Sequence, residues 1–148
     1  MNTHPYLRAF LAGVFVPTLI LSLMLAGFIV ARLVLQVPVP IERALVFPMA
    51  LVPALWGLWN MLWLGSHART HLPIEFHGML LPLLLLPAGA LTAGCLGILA
   101  LGSQGVMRFH ACYVPYALIA TVFLAVLVLY YLVWKYIVGF VNRVLGIA

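Results

Sequence analysis

The side chains most capable of chemistry lie in one short stretch, GSHARTHLPIEFHG (residues 65–78). It holds three of the chain's five histidines and one of its two acidic residues, namely His67, His71, Glu75 and His77. The first three of these are four residues apart, so one continuous helix would place them on one face, where they could hold a metal ion. Pro73 opposes this arrangement because it disfavours helical geometry at Leu72. We therefore predict a polar loop between two membrane helices, with a metal or polar site as the alternative.

Catalytic motifs are missing from the rest of the sequence. No serine or cysteine nucleophile lies beside a base, and there is no phosphate-binding loop and no pair of carboxylates. If the chain were an enzyme, the histidine-rich stretch would have to do the acid–base work, on a lipid or a quinone. We predict no catalytic residue and no resident cofactor, and we expect bound membrane lipid.

A second group of candidate residues surrounds an asparagine. Trp56, Trp59 and Trp63 follow each other at spacings of three and four, so a helix places them on one face. Asn60 lies among them, and an amide inside a membrane needs a hydrogen-bond partner. Trp56, Trp59 and Asn60 are therefore candidates for binding a lipid, a sterol or a quinone. The interpretation we prefer is packing between helices, with the hydrogen bonds of the amide made inside the protein.

The composition indicates that lipid is the solvent of this chain. Only 6% of its 148 residues are charged and 67% are hydrophobic, whereas a soluble domain has about 25% charged residues. Four continuous apolar runs have about the length that a membrane-spanning helix needs. They cover residues 9–31, 44–64, 78–101 and 111–133. Because the runs do not alternate with polar residues, we predict helices rather than strands.

The predicted fold class is all-α, an integral membrane four-helix bundle within a single transmembrane domain, residues 1–148. The segments GVFVP (residues 13–17) and GMLLP (residues 78–82) are similar and open the first and third runs. This similarity favours two tandem transmembrane hairpins, which would place both termini on the same side of the membrane.

The net charge of +5 arises from seven basic residues scattered singly near the ends of the apolar runs. This distribution is typical of anchors that face anionic lipid head groups, and it argues against nucleic acid as a partner. Four of the seven lie on the side of the termini. We therefore expect the termini to face the cytoplasm, with the inner membrane of a bacterium as the location.

The third run carries small residues at a spacing of four, Gly89, Ala93 and Gly97. Small residues at this period let the backbones of two membrane helices approach closely. We therefore predict a tightly packed partner for this face. That partner is another helix of this chain, a second copy of the chain in a homo-oligomer, or another membrane subunit.

Three function classes remain open, and the first is preferred. It is a non-catalytic subunit or assembly component of a membrane complex. The second is a homo-oligomeric channel or transporter for an ion or small neutral solute, which the prolines in every apolar run favour because they could break helices around a cavity. The third is a membrane enzyme that uses the histidine-rich stretch. Both acidic residues fall outside the runs, which disfavours a carboxylate proton relay.

Overall fold

The computed structural model describes residues 4–36, 50–95, 99–108 and 112–147, and these ranges are mostly helical. In chain order the elements are α1 (Pro5–Leu33), α2 (Val52–Thr70), α3 (Ile74–Cys95), β1 (Leu99–Leu101), β2 (Gly105–Arg108), β3 (Cys112–Pro115) and α4 (Tyr116–Leu132). A π-helical segment (Val133–Val138) and a short helix, α5 (Gly139–Val144), continue α4 without a break.

The chain divides into two compact units. Unit 1 comprises Met1–Leu72 and Tyr136–Ala148, and it contains α1, α2 and α5. Unit 2 comprises Pro73–Lys135, and it contains α3, the three strands and α4. A single transmembrane domain over the whole chain stays a prediction.

In unit 1, α1 and α2 pack through glycines. A Cβ atom added to Gly57 would lie 2.6 Å from the ring of Phe10 and 2.8 Å from Val14, and one added to Gly13 would lie 2.9 Å from the Cα atom of Gly57. Carbon atoms do not approach this closely. A side chain at Gly13 would meet the backbone of α2 and force the helices apart, whereas one at Gly57 would require the side chains of Phe10 and Val14 to shift. The rest of the buried face of α1 follows helical spacing, with Ala9, Ala12 and Val16.

In unit 2, the indole of Trp134 packs against α3 at Gly78. Trp134 is fully buried, and a Cβ atom added to Gly78 would overlap its ring. Phe76, also on α3, meets the ring of Tyr131 edge-on at 5.7 Å between centroids. Such edge-to-face pairs are a favourable aromatic geometry. Aromatic packing therefore joins the first turns of α3 to α4, the helix that carries Tyr131.

The three strands of unit 2 form a small antiparallel sheet in the order β1–β2–β3. The turn between β1 and β2 is closed by a hydrogen bond from the amide of Gly102 to the carbonyl of Gly105, 2.8 Å long. The hydroxyl of Tyr116 donates to the carbonyl of Gly102, also at 2.8 Å, so the first residue of α4 is tied to this turn.

Three helices of the described ranges are long and apolar enough to cross a membrane. They cover Pro5–Leu33, Ile74–Thr92 and Tyr116–Val144. The prediction of membrane-spanning helices is confirmed at this level, whereas the four-helix membrane bundle is not. Helix α2 falls short because its last turns carry Ser66, His67 and Arg69, and residues 44–49 of the predicted second span lie outside the described ranges.

The element boundaries differ from the predicted ones on both sides of the sheet. The third predicted span reaches residue 101, but α3 ends at Cys95 and a strand occupies Leu99–Leu101. The fourth predicted span begins at residue 111, but α4 begins at Tyr116, after a strand that ends at Pro115. Glycines at 94, 97 and 102 weaken helix propensity here, and short apolar runs do not distinguish a strand from a helix. The sheet was absent from the all-α prediction.

Prolines interrupt fewer helices than the sequence indicated. Pro17, Pro82 and Pro87 lie inside helices, whereas Pro53 lies in the first turn of α2 and Pro115 precedes α4 in an extended conformation. Pro48 lies outside the described ranges. A proline at the start of a helix removes no hydrogen bond within the helix. Fewer prolines than expected therefore support helices that are broken around a cavity.

We predict that Gly13→Ala destabilises the protein and that Gly27→Ala on the same helix does not. An added methyl at Gly13 meets the backbone of α2, whereas one at Gly27 has no neighbour within 4 Å. The expected loss is about 1–3 kcal/mol in the free energy of unfolding, measured by denaturant titration of the purified protein in micelles. Equal stability of the two variants would contradict the close packing of α1 and α2.

Candidate functional site

The centre of unit 1 is a buried pair of amides. Asn60 of α2 and Asn142 of α5 are both fully buried. The side-chain nitrogen of Asn60 donates to the side-chain oxygen of Asn142 at 2.8 Å, and the nitrogen of Asn142 donates back at 3.1 Å. The nitrogen of Asn60 also donates to the backbone carbonyl of Ala9 at 2.8 Å. One amide therefore joins α1, α2 and α5.

Both amide hydrogens of Asn60 are used inside the protein, which leaves its nitrogen no further hydrogen to donate. Of its predicted neighbours, Trp56 is buried and Trp59 is half-buried. These contacts agree with the preferred interpretation, helix packing with a satisfied amide. Binding of a lipid, sterol or quinone at Trp56, Trp59 and Asn60 stays a prediction.

The histidine-rich stretch is not a loop throughout, because it is helical on both sides of residues 71–73. Helix α2 extends six residues beyond its predicted end, to Thr70, and α3 already begins at Ile74. The break falls where Pro73 predicts it. His71 takes a left-handed conformation (φ 51°, ψ 21°), and its amide donates to the carbonyl of His67 at 2.9 Å, which ends α2.

Two aromatic rings complete this helix end. The indole of Trp63 donates to the carbonyl of Leu72 at 3.1 Å, and Nδ1 of His67 lies 3.1 Å from the same oxygen. The rings of Trp63 and His67 are themselves 4.9 Å apart between centroids. His67 is exposed but helps to satisfy a backbone carbonyl, so it has a structural task whether or not it has another.

Glu75 and His77 belong to unit 2 and differ in environment. Glu75 lies in the first turn of α3, where a carboxylate is favoured by the positive end of the helix dipole. His77 is buried, and its ring lies 6.4 Å from that of Trp134 between centroids. In the part of the chain that the structure describes, no three His, Cys, Asp or Glu side chains form a group that could hold a metal ion. A metal or polar site in this stretch stays a prediction.

Of the predicted packing face of α3, only Gly89 can be described, and Gly94 beside that face can be described as well. A Cβ atom added to Gly89 or to Gly94 would have no heavy atom within 4 Å. The side chain of Ala93 and all of Gly97 lie outside the described ranges. Tight packing of Gly89, Ala93 and Gly97 against a partner stays a prediction.

A feature that the sequence analysis missed is an open groove between the start of α1 and the last turns of α2. It encloses about 580 Å³, and its lining includes Tyr6, Leu58, Leu62, Gly65 and Arg69. We call it the Tyr6–Arg69 groove. The α2 residues among these follow each other at spacings of three and four, so they form one helix face. Recognising it required knowing that α2 continues past residue 64.

Asn142 was also missed, although the sequence contains a signal for it. Asn60 and Asn142 are both amides inside strongly apolar segments, and each needs a partner. Pairing the two would have placed α5 against α2.

Comparison with models of known protein families, with curated proteins and with solved structures finds no match for this chain. Function is therefore inferred from the geometry of the described residues.

We predict that Asn60→Leu and Asn142→Leu are strongly coupled. Either change alone leaves the other amide buried with lost hydrogen bonds, which should lower the free energy of unfolding by about 1–3 kcal/mol. The double variant should lose less than the sum of the two, because no unsatisfied amide of the pair remains.

The measurement is a double-mutant cycle on unfolding in micelles. The control cycle pairs Asn60→Leu with Thr121→Val, whose exposed hydroxyl donates to the carbonyl of Ala117 within its own helix. Control effects should add. Additive losses for Asn60 and Asn142 as well would contradict the amide pair.

Proposed function

We propose that the protein is a non-catalytic subunit or assembly component of a membrane complex and that it binds neighbouring chains by helix packing. The observation that supports this proposal most is that Gly89, on the predicted small-residue face of α3, is open, as is Gly94 beside that face. The same stretch of α3 exposes leucines on its other faces, with Leu84 and Leu91 among the most exposed.

Glycine on a lipid-facing helix surface brings no benefit by itself. Each glycine lowers helix stability by about 1 kcal/mol relative to alanine, and it buries no side chain. Lipid tails are as apolar as leucine, so association inside a membrane depends on close van der Waals packing, which small residues allow. An open glycine at position 89, on the face that the sequence continues with Ala93 and Gly97, is therefore best explained by a helix that packs against it in a complex.

The apolar helices also leave much surface for partners. Only 11%, 22% and 6% of the residues are buried in the most apolar windows of Pro5–Leu33, Ile74–Thr92 and Tyr116–Val144. Part of this surface will meet lipid, and the face at Gly89 is the part suited to protein.

We further propose that the four predicted spans cross the inner membrane of a bacterium as a bundle, with both termini in the cytoplasm. The support is the count of cations, four on the side of the termini against three on the other side.

Fusion reporters test the orientation. A fluorescent protein that folds only in the cytoplasm should be bright at either terminus, and alkaline phosphatase should be inactive at both. Opposite results at the two termini would contradict an even number of spans.

We predict that Gly89→Leu combined with Gly94→Leu disrupts complex formation. The tagged chain is purified gently from native membranes at natural expression level, and retained chains are identified and counted by native mass spectrometry. The wild type should retain at least one other membrane chain at fixed stoichiometry, and the double variant should lose most of it.

The matched control is Gly27→Leu, which places the same side chain on an equally open position of α1. It should leave the complex intact. A wild type that retains no other chain would contradict the proposal. Retention of copies of this chain alone would also contradict it and would favour the homo-oligomeric channel or transporter.

A further inference from the structure

The Tyr6–Arg69 groove has an apolar end and a polar end. Leu58 and Leu62 line one end, and Arg69 lies at the other, eleven residues after Leu58 on the same face of α2. At a rise of 1.5 Å per residue this face is about 16 Å long, which is close to half of the roughly 30 Å hydrocarbon thickness of a bilayer. The groove thus has the length and polarity profile of one membrane leaflet.

Two hydrogen-bond donors at the polar end are available for a ligand. Within the described ranges, the guanidinium of Arg69 makes no ion pair and the hydroxyl of Tyr6 makes no hydrogen bond. The other two polar side chains lining this end use their hydroxyl hydrogens internally, since Ser66 donates to the carbonyl of Trp63 at 3.3 Å and Thr70 donates to that of Ser66 at 3.1 Å. A ligand here must therefore bring acceptors and negative charge.

Gly65 keeps the groove open between its two ends. A Cβ atom added there would lie 3.7 Å from both Cε1 and Oη of Tyr6, an ordinary van der Waals distance. An alanine would fit without movement, whereas a larger side chain would extend into the groove.

We propose that the Tyr6–Arg69 groove binds an anionic phospholipid of the surrounding membrane. Arg69 and Tyr6 hold the phosphate, and one acyl chain lies along Leu58 and Leu62. The charge is complementary, because the groove is lined by no acidic side chain in the described ranges and the chain carries a net charge of +5. An arginine near the membrane surface attracts anionic lipid by an amount that corresponds to about fivefold in binding.

This site is separate from the packing face of α3, so it stands or falls independently of the proposed function. It is also separate from the candidate residues Trp56, Trp59 and Asn60, none of which lines the groove.

Native mass spectrometry of the full chain in micelles tests the proposal, with equal amounts of phosphatidylglycerol and phosphatidylcholine added. The wild type should retain phosphatidylglycerol about fivefold over phosphatidylcholine. Arg69→Gln should abolish this preference. The control Arg143→Gln removes the same charge from an exposed position of unit 1 outside the groove, and it should retain the preference.

A second pair of variants tests the acyl chain. Gly65→Leu should lose bound lipid of both kinds, whereas Gly65→Ala should bind like the wild type. Thermal unfolding of each variant checks that it folds, and if Gly65→Leu does not fold, the Arg69 and Arg143 variants decide the question.

Three results would overturn the proposal. Equal preference in the Arg69 and Arg143 variants would mean that overall charge attracts the lipid. Undiminished binding in a folded Gly65→Leu variant would place the lipid elsewhere. Displacement of the lipid by millimolar soluble glycerol phosphate would mean that the groove recognises a phosphate and not a chain.

Discussion

Unit 1 depends on the hydrogen bonds of one buried amide. Asn60 donates to the carbonyl of Ala9 and exchanges two hydrogen bonds with Asn142, so a single side chain on α2 is bonded to both α1 and α5. Ala9 lies on the same face of α1 as Gly13, one turn away. The close approach at Gly13 and Gly57 brings the two helices near enough for the amide to reach the Ala9 carbonyl. The glycine contact and the amide thus reinforce each other.

A polar anchor of this kind gives an apolar unit its register. Leucine and valine faces can slide along or rotate past one another with little change in energy, because one apolar contact replaces another. A buried amide that loses its partner is costly, so it allows only those arrangements in which the partner is present. In unit 1 the buried amide thereby fixes the register of the helices. In unit 2 the register is fixed by steric fit, because the ring of Trp134 packs directly against Gly78.

The helical character and three apolar spans could be predicted from composition and run length, because both depend on properties summed over about twenty residues. The boundaries of the helices and strands could not be predicted with the same accuracy. The strand at Leu99–Leu101 and the start of α4 at Tyr116 depend on local competition between short apolar segments, which have no distinctive period. The break at Pro73 was predictable because a single residue without an amide hydrogen causes it. Part of the amide pair could be predicted. The sequence shows that Asn60 needs a hydrogen-bond partner, and it offers Asn142 as a second amide in an apolar segment, but the pairing itself was not predicted.

The histidine-rich stretch shows how much a helix boundary decides about a site. If α2 ended at residue 64, His67, Arg69 and Thr70 would belong to a loop, and their spacing would carry no geometric meaning. Because α2 continues to Thr70, Arg69 extends the helix face that begins at Leu58 and faces the start of α1. In the last two turns of α2, Trp63 and His67 are directed to the carbonyl of Leu72. The residue types alone drew attention to the imidazoles. The helix instead places the guanidinium of Arg69, which makes no ion pair among the described residues, at the end of an apolar groove.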